Sequence, residues 1–153
     1  MLTFKHILAP TDFSAPSHHA LKYAAELARR FEGTLHLLTV VESAIPLVPE
    51  AGALSFYQAD RIQQEQAAAK QALDKLAHEP LVRGLTVKTQ VLSGAPHHEI
   101  LQFAKDRGIE LIVVGTHGRT GLSHVFMGSV AEKIVRRATC PVLTVHPGDR
   151  PTA

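Results

Sequence analysis

A glycine-rich stretch that begins at Gly115 contains the residue types that bind a polyphosphate. Two residues separate Gly115 from Gly118, and nine more separate Gly118 from the pair Gly128 and Ser129. Glycine has no Cβ, so the backbone amides of such a loop can approach phosphate oxygens closely. Gly128 and Ser129 stand where a helix is predicted to begin, and the unpaired amides of a helix start attract anions. The spacing differs from that of a P-loop and from the dinucleotide fingerprint, and it predicts a phosphate-binding loop of another kind.

Side chains in and beside this loop add hydrogen-bond donors. His117 and Arg119 contribute cationic or donor groups, and Val130 follows Ser129 in the predicted helix. Ser129 also has a structural interpretation, because Ser129 and Glu132 have the spacing of a capping box, in which the serine accepts the amide of Glu132. A hydroxyl can donate while it accepts, so the two roles are compatible.

A second loop with suitable chemistry follows the first predicted strand, at Pro10, Thr11 and Asp12. In an Asx-turn, the carboxylate of Asp12 would accept a nearby backbone amide and would have a structural role only. Its position at the carboxyl end of a strand favours contact with a ligand instead, because ligands of open α/β sheets bind at that edge. The residues alone leave both interpretations open.

Short apolar runs alternate along the chain with longer segments of helical periodicity, which is the pattern of βαβ units. The predicted strands are Phe4–Ala9, Leu35–Val41, Leu85–Leu92, Leu111–Val114 and Pro141–Val145. The run at 111–114 is continuously apolar, which predicts a strand buried on both faces. The predicted helices run from the N-cap Ser14 to before Gly33, from about Tyr57 to His78, from Pro96 to before Gly108, and from Ser129 to Arg137. We therefore expect an α/β fold with a doubly wound, five-stranded parallel sheet and helices on both faces. A chain of 153 residues is expected to form this fold as one domain, residues 1–153.

The segment from Ser43 to Phe56 contains Pro46 and Pro49 and is predicted to be a loop. It is unusually apolar for a loop, so it either packs on its own domain or forms a mobile flap over a ligand or partner.

Composition argues against several classes of protein. The net charge is only +2 and the Lys and Arg residues are scattered, which disfavours a nucleic-acid-binding surface. No apolar run approaches the roughly 18 residues of a membrane span, and the first residues lack the pattern of a signal peptide. Cys140 is the only cysteine, so no internal disulfide can form and we expect a cytoplasmic location.

Histidine and cysteine positions do not indicate a metal site. The adjacent pairs at 18–19 and 97–98 lie in predicted helices, where neighbouring side chains diverge by about 100°. Chelation from one helix needs a spacing near four. Cys140 has no His or Cys close to it in sequence and is interpreted as a small buried hydrophobic residue.

The glycine and serine spacing resembles the G-x2-G-x9-G-[ST] mark of the ATP-binding universal stress proteins. The similarity extends to the opening strand and turn, the start of the third helix, the approach to the motif and the closing strand, at residues 7–14, 94–100, 106–115 and 139–145. The middle of the chain, from Ser43 to Arg83, matches only as a loop and a long helix. The resemblance implies the family's fold, similar to the adenine nucleotide alpha hydrolases, and the binding of ATP.

The resemblance also implies a role for each site residue. Pro10, Thr11 and Asp12 would line the nucleoside side, Val40 would offer backbone groups to the adenine, and Gly115 would lie against the ribose. The phosphates would be surrounded by His117, Gly118, Arg119, Gly128, Ser129 and Val130. Asp12 would also help to hold a divalent ion, Mg²⁺ or Mn²⁺. The last strand would pair with its copy in a second chain to form a homodimer.

These features predict an ATP-binding regulatory or stress-response protein. The alternative is an enzyme, either a slow ATPase or a nucleotide-dependent transferase. The phosphate loop favours binding, because it has no Asp, Glu or Gln that could orient a water molecule for rapid hydrolysis. A third class, a flavodoxin-like FMN carrier, fits the expected sheet but would need aromatic residues beside the flavin, and the loops offer few.

Overall fold

A computed structural model of the chain describes residues 1–43, 52–117 and 127–148, in which strands and helices alternate. The strands are β1 His6–Pro10, β2 Thr34–Glu42, β3 Thr86–Gly94, β4 Leu111–Gly115 and β5 Val142–Val145. The α-helices are α1 Ala15–Phe31, α2 Gly52–Leu76, α3 Pro96–Asp106 and α4 Ser129–Arg137, and a short 3-10 helix, Pro80–Val82, precedes β3. This alternation confirms the predicted order of elements. The second helix begins at Gly52, so the prediction of a loop through residue 56 was wrong over its last residues, and residues 44–51 lie outside the described part.

The five strands form one parallel sheet in the order β3-β2-β1-β4-β5. The chain starts in the middle with β1, moves outward through β2 to β3, and then crosses to β4 on the other side of β1. β1 pairs with both β2 and β4, and Leu8 lies in register with His36 on one side and Ile112 on the other. The strand order therefore reverses between β1 and β4, and the crevice of such a sheet lies beyond the carboxyl ends of those two strands.

Both faces of the sheet are covered, which explains the continuous apolar run in β4. One core contains buried residues of α1 and α2, among them Leu21 and Leu73, and the other contains residues of α3 and α4, among them Ile100 and Ile134. Successive residues of a strand point to opposite faces, so Val113 packs into the first core and Ile112 into the second. Both are completely buried.

The ends of α1 are fixed by local interactions that the sequence indicated. Ser14 is the N-cap, and its hydroxyl accepts the backbone N–H of Ser17 at 3.4 Å. The helix stops at Glu32, which has φ 51°, and Gly33 follows. A Cβ on Gly33 would lie 2.6 Å from the carbonyl oxygen of Phe4, so only glycine lets the chain pass the start of β1 at this point.

Candidate functional site

The loops that leave β1 and β4 begin side by side at the crevice. The Thr11 amide donates to the Leu38 carbonyl at 2.8 Å, which continues the β1–β2 pairing by one residue. In the same way the Thr116 amide donates to the Val145 carbonyl at 3.0 Å and continues the pairing of β4 with β5. Each loop therefore departs from a fixed strand end, and the two strands are direct neighbours.

Gly115 brings the end of β4 against the first turn of α1. A Cβ built on Gly115 would lie 3.0 Å from the carbonyl oxygen of Pro16 and 3.2 Å from its carbonyl carbon. Both distances are shorter than an ordinary van der Waals contact. The Pro16 backbone cannot move freely to relieve such a clash. The loops after β1 and β4, which the sequence predicted as separate ligand-binding segments, are therefore adjacent here. A side chain at position 115 would push them apart.

The loop after β1 is a tight hydrogen-bonded turn. Asp12 Oδ1 accepts the backbone N–H of Ser14 at 3.0 Å and also the Ser14 hydroxyl, so Asp12 forms an Asx-turn. Thr11 is buried, and its Oγ1 accepts the amide of Phe13 at 3.0 Å and is 3.0 Å from the Ser17 hydroxyl. Phe13 has φ 63°, which is rare for an aromatic residue and marks a strained turn. The turn holds the half-buried Asp12 carboxylate at the carboxyl end of β1.

Pro10 is the last residue of β1, and Val40 lies near the carboxyl end of β2. Pro10 is buried and lies in register with Leu38 of β2. Val40 lies two residues farther along β2, is half-buried, and is in register with Leu92 of β3. It packs against the core under α3 and α4.

The start of α4 differs from the prediction in one respect. Gly128 is the N-cap and Ser129 is the first helical residue, so the capping box predicted for Ser129 and Glu132 is wrong. The Glu132 amide donates to the Gly128 carbonyl at 2.9 Å, and its carboxylate pairs with Arg136 at 2.9 Å rather than reaching back. The physical reason is tertiary: the Gly128 amide donates to the Thr116 carbonyl at 2.6 Å, and this bond places glycine at the cap.

Ser129 is exposed at the first turn of α4, and no side-chain hydrogen bond caps this helix. Gly128 and Val130 on either side of it are half-buried. The first amides of an α-helix have no partner within the helix. The start of α4 therefore presents amides that have no partner within the helix, together with a serine hydroxyl, the combination that binds an oxyanion.

His117 is held beside this helix start, while its neighbours in the motif fall outside the described residues. The His117 Nδ1 lies 2.9 Å from the Thr116 hydroxyl, and the ring is half-buried. Gly118 and Arg119 belong to residues 118–126, so their predicted contacts with phosphate stay predictions.

Thr116 is a site residue that the sequence reasoning missed. Its side chain is completely buried and lies between Gly115 and His117 in the motif. A threonine at this position of a loop is unremarkable in sequence, and only its burial and its contacts reveal its importance. The nearest signal was its place immediately after a strand predicted to be buried on both faces.

Among the described residues, no group of three or more His, Cys, Asp and Glu side chains is arranged to hold a metal ion. Asp12 is thus a candidate ligand that would need phosphate oxygens and water to complete a coordination shell. Cys140 is half-buried against the second core, and burial raises the pKa of its thiol. Within the described ranges, no helix is long and apolar enough to cross a bilayer.

Comparison with known proteins identifies close relatives. The model of the Universal stress protein family matches residues 3–146. Universal stress protein MJ0531 of Methanocaldococcus jannaschii is 36% identical over 143 residues, which cover 93% of this chain and 82% of that protein. The solved structure of MJ0577, a universal stress protein of the same organism, has a TM-score of 0.84 and 29% identity, and covers 97% of this chain and 100% of that one. A universal stress protein of Archaeoglobus fulgidus, solved in complex with dAMP, has a TM-score of 0.61 and 21% identity, with 94% of this chain and 98% of that one covered.

Proposed function

The chain belongs to the universal stress protein family, and from that premise we propose that it binds ATP at the carboxyl ends of β1 and β4 and acts as a regulatory stress-response protein. The observation that carries the proposal is the start of α4, where Ser129 is exposed and is not the helix cap. A structural role for its hydroxyl in capping is thereby removed. What is left, as far as the described residues show, is a hydroxyl donor without a partner beside amides that have no partner within the helix, at the end of the motif that predicts a phosphate site.

The phosphates would lie between the α4 start and His117. Ser129 and the amides of the first turn would donate to one part of the chain of phosphates, and His117 would donate to another. Gly118 and Arg119 complete this set in the proposal. All of these groups are donors, which suits a ligand whose charge is spread over several phosphate oxygens.

The nucleoside would extend from Gly115 towards β2. The ribose would lie against the Gly115 backbone, which the close approach of α1 holds in place, and Pro10, Thr11 and Val40 would line the base. The complex of the Archaeoglobus protein with dAMP makes adenine nucleotides the first ligands to test.

A divalent ion, Mg²⁺ or Mn²⁺, would accompany the phosphates, with Asp12 as a protein ligand. Mg²⁺ is commonly held by one or two carboxylates together with phosphate oxygens and several waters, so a single half-buried carboxylate fits this role. Because Oδ1 of Asp12 accepts two hydrogen bonds in its own turn, the carboxylate is fixed in place.

We expect the nucleotide to be held rather than rapidly turned over. Rapid hydrolysis needs a group that orients the attacking water. The Asp12 carboxylate is engaged by the hydrogen bonds of its own turn, and Glu132 points forward along α4 to Arg136. The rate of ATP turnover distinguishes a slow ATPase or transferase from a protein that only binds the nucleotide.

Assembly as a homodimer through β5 is part of the proposal. β5 is an edge of the sheet, and it pairs on one side with β4. An edge strand has unpaired backbone groups that a second copy could satisfy.

The cytoplasmic location stays a prediction from the single cysteine.

Isothermal calorimetry with ATP and Mg²⁺ tests the binding site. Replacing Ser129→Ala should weaken ATP binding by about fivefold, the size expected for one hydrogen bond, without lowering the melting temperature. Thr86→Ala is the matched control, because Thr86 is an exposed hydroxyl at the amino end of β3, opposite the crevice. It should leave the affinity unchanged.

Gly128→Val is the stronger perturbation. A branched side chain at the α4 cap would stand where a phosphate should lie, and the affinity should fall at least tenfold, about 1.4 kcal/mol. If the wild-type protein shows no heat of binding with ATP and Mg²⁺, the proposal is wrong. Equal affinity of Ser129→Ala and wild type would move the phosphate site away from the α4 start.

A further inference from the structure

Thr116 is a completely buried polar residue directly after the carboxyl end of β4. Its exposed fraction is 0%, and a buried hydroxyl needs hydrogen-bond partners. Within the described part of the chain, three groups lie within reach of Oγ1: the His117 Nδ1 at 2.9 Å, the His146 Nδ1 at 3.3 Å and the Val145 carbonyl oxygen at 3.4 Å. They come from two strand ends, those of β4 and β5.

The number of protons available limits which ring nitrogens of His117 and His146 can be protonated. The Thr116 hydroxyl has one proton and can accept two hydrogen bonds. The Val145 carbonyl only accepts, so a hydroxyl that donates to it must accept from Nδ1–H of both rings. A hydroxyl that donates to one ring must accept from the other. In every arrangement with both rings bonded, at least one of His117 and His146 carries its proton on Nδ1.

The geometry favours the Nδ1–H form for His117, because all three contacts are hydrogen bonds only when the Thr116 hydroxyl donates to the Val145 carbonyl and accepts from both rings. A ring that donates from Nδ1 to a buried oxygen has its orientation fixed, and its Nε2 faces away from Thr116. The same principle fixes histidines that bind metals, where a hydrogen bond at one ring nitrogen sets the role of the other.

The backbone of Thr116 ties together the two ends of the phosphate loop. Its amide donates to the Val145 carbonyl at 3.0 Å, and its carbonyl accepts the amide of Gly128 at 2.6 Å. The residue therefore contacts β5, the α4 start and the His117 ring at once. A change in its position would move the helix start and the histidine together.

We propose that Thr116 is a positioning residue of the nucleotide site. Its hydroxyl accepts a hydrogen bond from Nδ1–H of His117 and so aims Nε2 at the phosphates, to which Nε2 donates once the ring has taken a second proton from solvent. The inference rests on the proposed binding of ATP at this loop. Thr116 does not touch the nucleotide; it acts through His117 and shares its hydroxyl with His146.

The test compares Thr116→Val, which keeps the shape and removes the hydroxyl, with Thr116→Ser, which keeps the hydroxyl. Far-ultraviolet circular dichroism and the melting temperature check that both variants fold. Calorimetry with ATP and Mg²⁺ should show an affinity about fivefold weaker for Thr116→Val, and within about twofold of wild type for Thr116→Ser. Adenosine, which has no phosphate, should bind the valine variant within about twofold of wild type, because the nucleoside side is untouched.

A double-mutant cycle separates positioning from a general structural role. In a His117→Ala background, adding Thr116→Val should reduce ATP affinity by less than about twofold, because the group through which Thr116 acts is gone. A further loss of about fivefold in that background would overturn the proposal, as would equal ATP affinity of Thr116→Val and wild type. Thr116→Ser that folds and yet binds as weakly as Thr116→Val would also overturn it.

Side-chain ¹⁵N NMR of the nucleotide-free protein at pH 8 gives a readout that does not depend on ATP. The His117 ring should be protonated on Nδ1 in the wild type and should lose that preference in Thr116→Val. If the wild type failed to bind ATP while this signature was present, the proposed function would be wrong and the hydrogen bond from His117 to Thr116 would stand. A His117 ring protonated only on Nε2 in the wild type would overturn the positioning role directly.

Discussion

His36 makes the stability of the fold depend on pH. The side chain is 5% exposed on β2, and its Nε2 lies 3.2 Å from the Nδ1 of His6 on β1. The edge of the Phe103 ring covers it from α3. Burial, together with smaller contributions from the nearby charges of His6, Lys88 and Arg107, lowers the pKa of His36 from 6.5 to about 4. Of two rings that share one hydrogen bond, one must accept, so a doubly protonated pair loses the bond.

The sign of the effect follows from where the proton binds. In the unfolded chain His36 takes a proton as the pH falls through about 6.5, whereas in the folded protein it stays neutral until about pH 4. The unfolded state therefore binds more protons in this window, and the free energy of unfolding falls as the pH is lowered. One pKa unit corresponds to about 1.4 kcal/mol, so His36 should account for a loss of about 2 kcal/mol between pH 7.5 and pH 5.

Urea unfolding followed by circular dichroism at fixed protein concentration measures this loss at pH 7.5, 6.5, 5.5 and 5. His36→Gln removes the titrating group and keeps a polar partner for His6, so its free energy of unfolding should fall by about 2 kcal/mol less than that of wild type over this range. His98→Gln, which removes an exposed histidine of α3, should follow the wild type. Parallel pH dependences of His36→Gln and wild type would refute the reasoning.

Three further predictions concern stability, assembly and the ion. Gly33→Ala should lower the free energy of unfolding by about 2 kcal/mol, because its Cβ would meet the Phe4 carbonyl, while Gly148→Ala, with open space around it, should change little; equal urea midpoints would contradict this. Sedimentation at micromolar concentration should return twice the chain mass of 16.6 kDa because β5 is an edge strand, and a monomer mass would refute the dimer. Asp12→Ala should weaken ATP binding more with Mg²⁺ than without it, and hydrolysis by the wild type should stay slower than about 1 per second; faster turnover would identify an enzyme.

The alternation of strands and helices could be predicted from the sequence because it depends on local periodicity. The continuous apolar run at residues 111–114 predicted a strand buried on both faces, and β4 is that strand. Ser14 marked the start of α1, and α4 has the predicted bounds. In each of these cases, the residues that decide the structure are neighbours along the chain.

The sequence also nominated the two loops of the candidate site, and the structure shows why they meet. β1 and β4 are far apart along the chain, and they become neighbours because the sheet is wound outward in both directions from β1. The contact between Gly115 and the Pro16 backbone is a consequence of that order. The glycine in the motif was visible in the sequence, but the surface it must approach was not.

The details that decide the chemistry depend on tertiary structure. Ser129 and Glu132 have the local pattern of a capping box, yet the hydrogen bond from Gly128 to the Thr116 carbonyl shifts the cap by one residue and leaves the Ser129 hydroxyl exposed. The Thr116 hydroxyl meets His146, 30 residues away, only because β4 and β5 lie side by side. Local periodicity determines which segments become strands and helices, whereas strand order and register determine which of their polar groups meet.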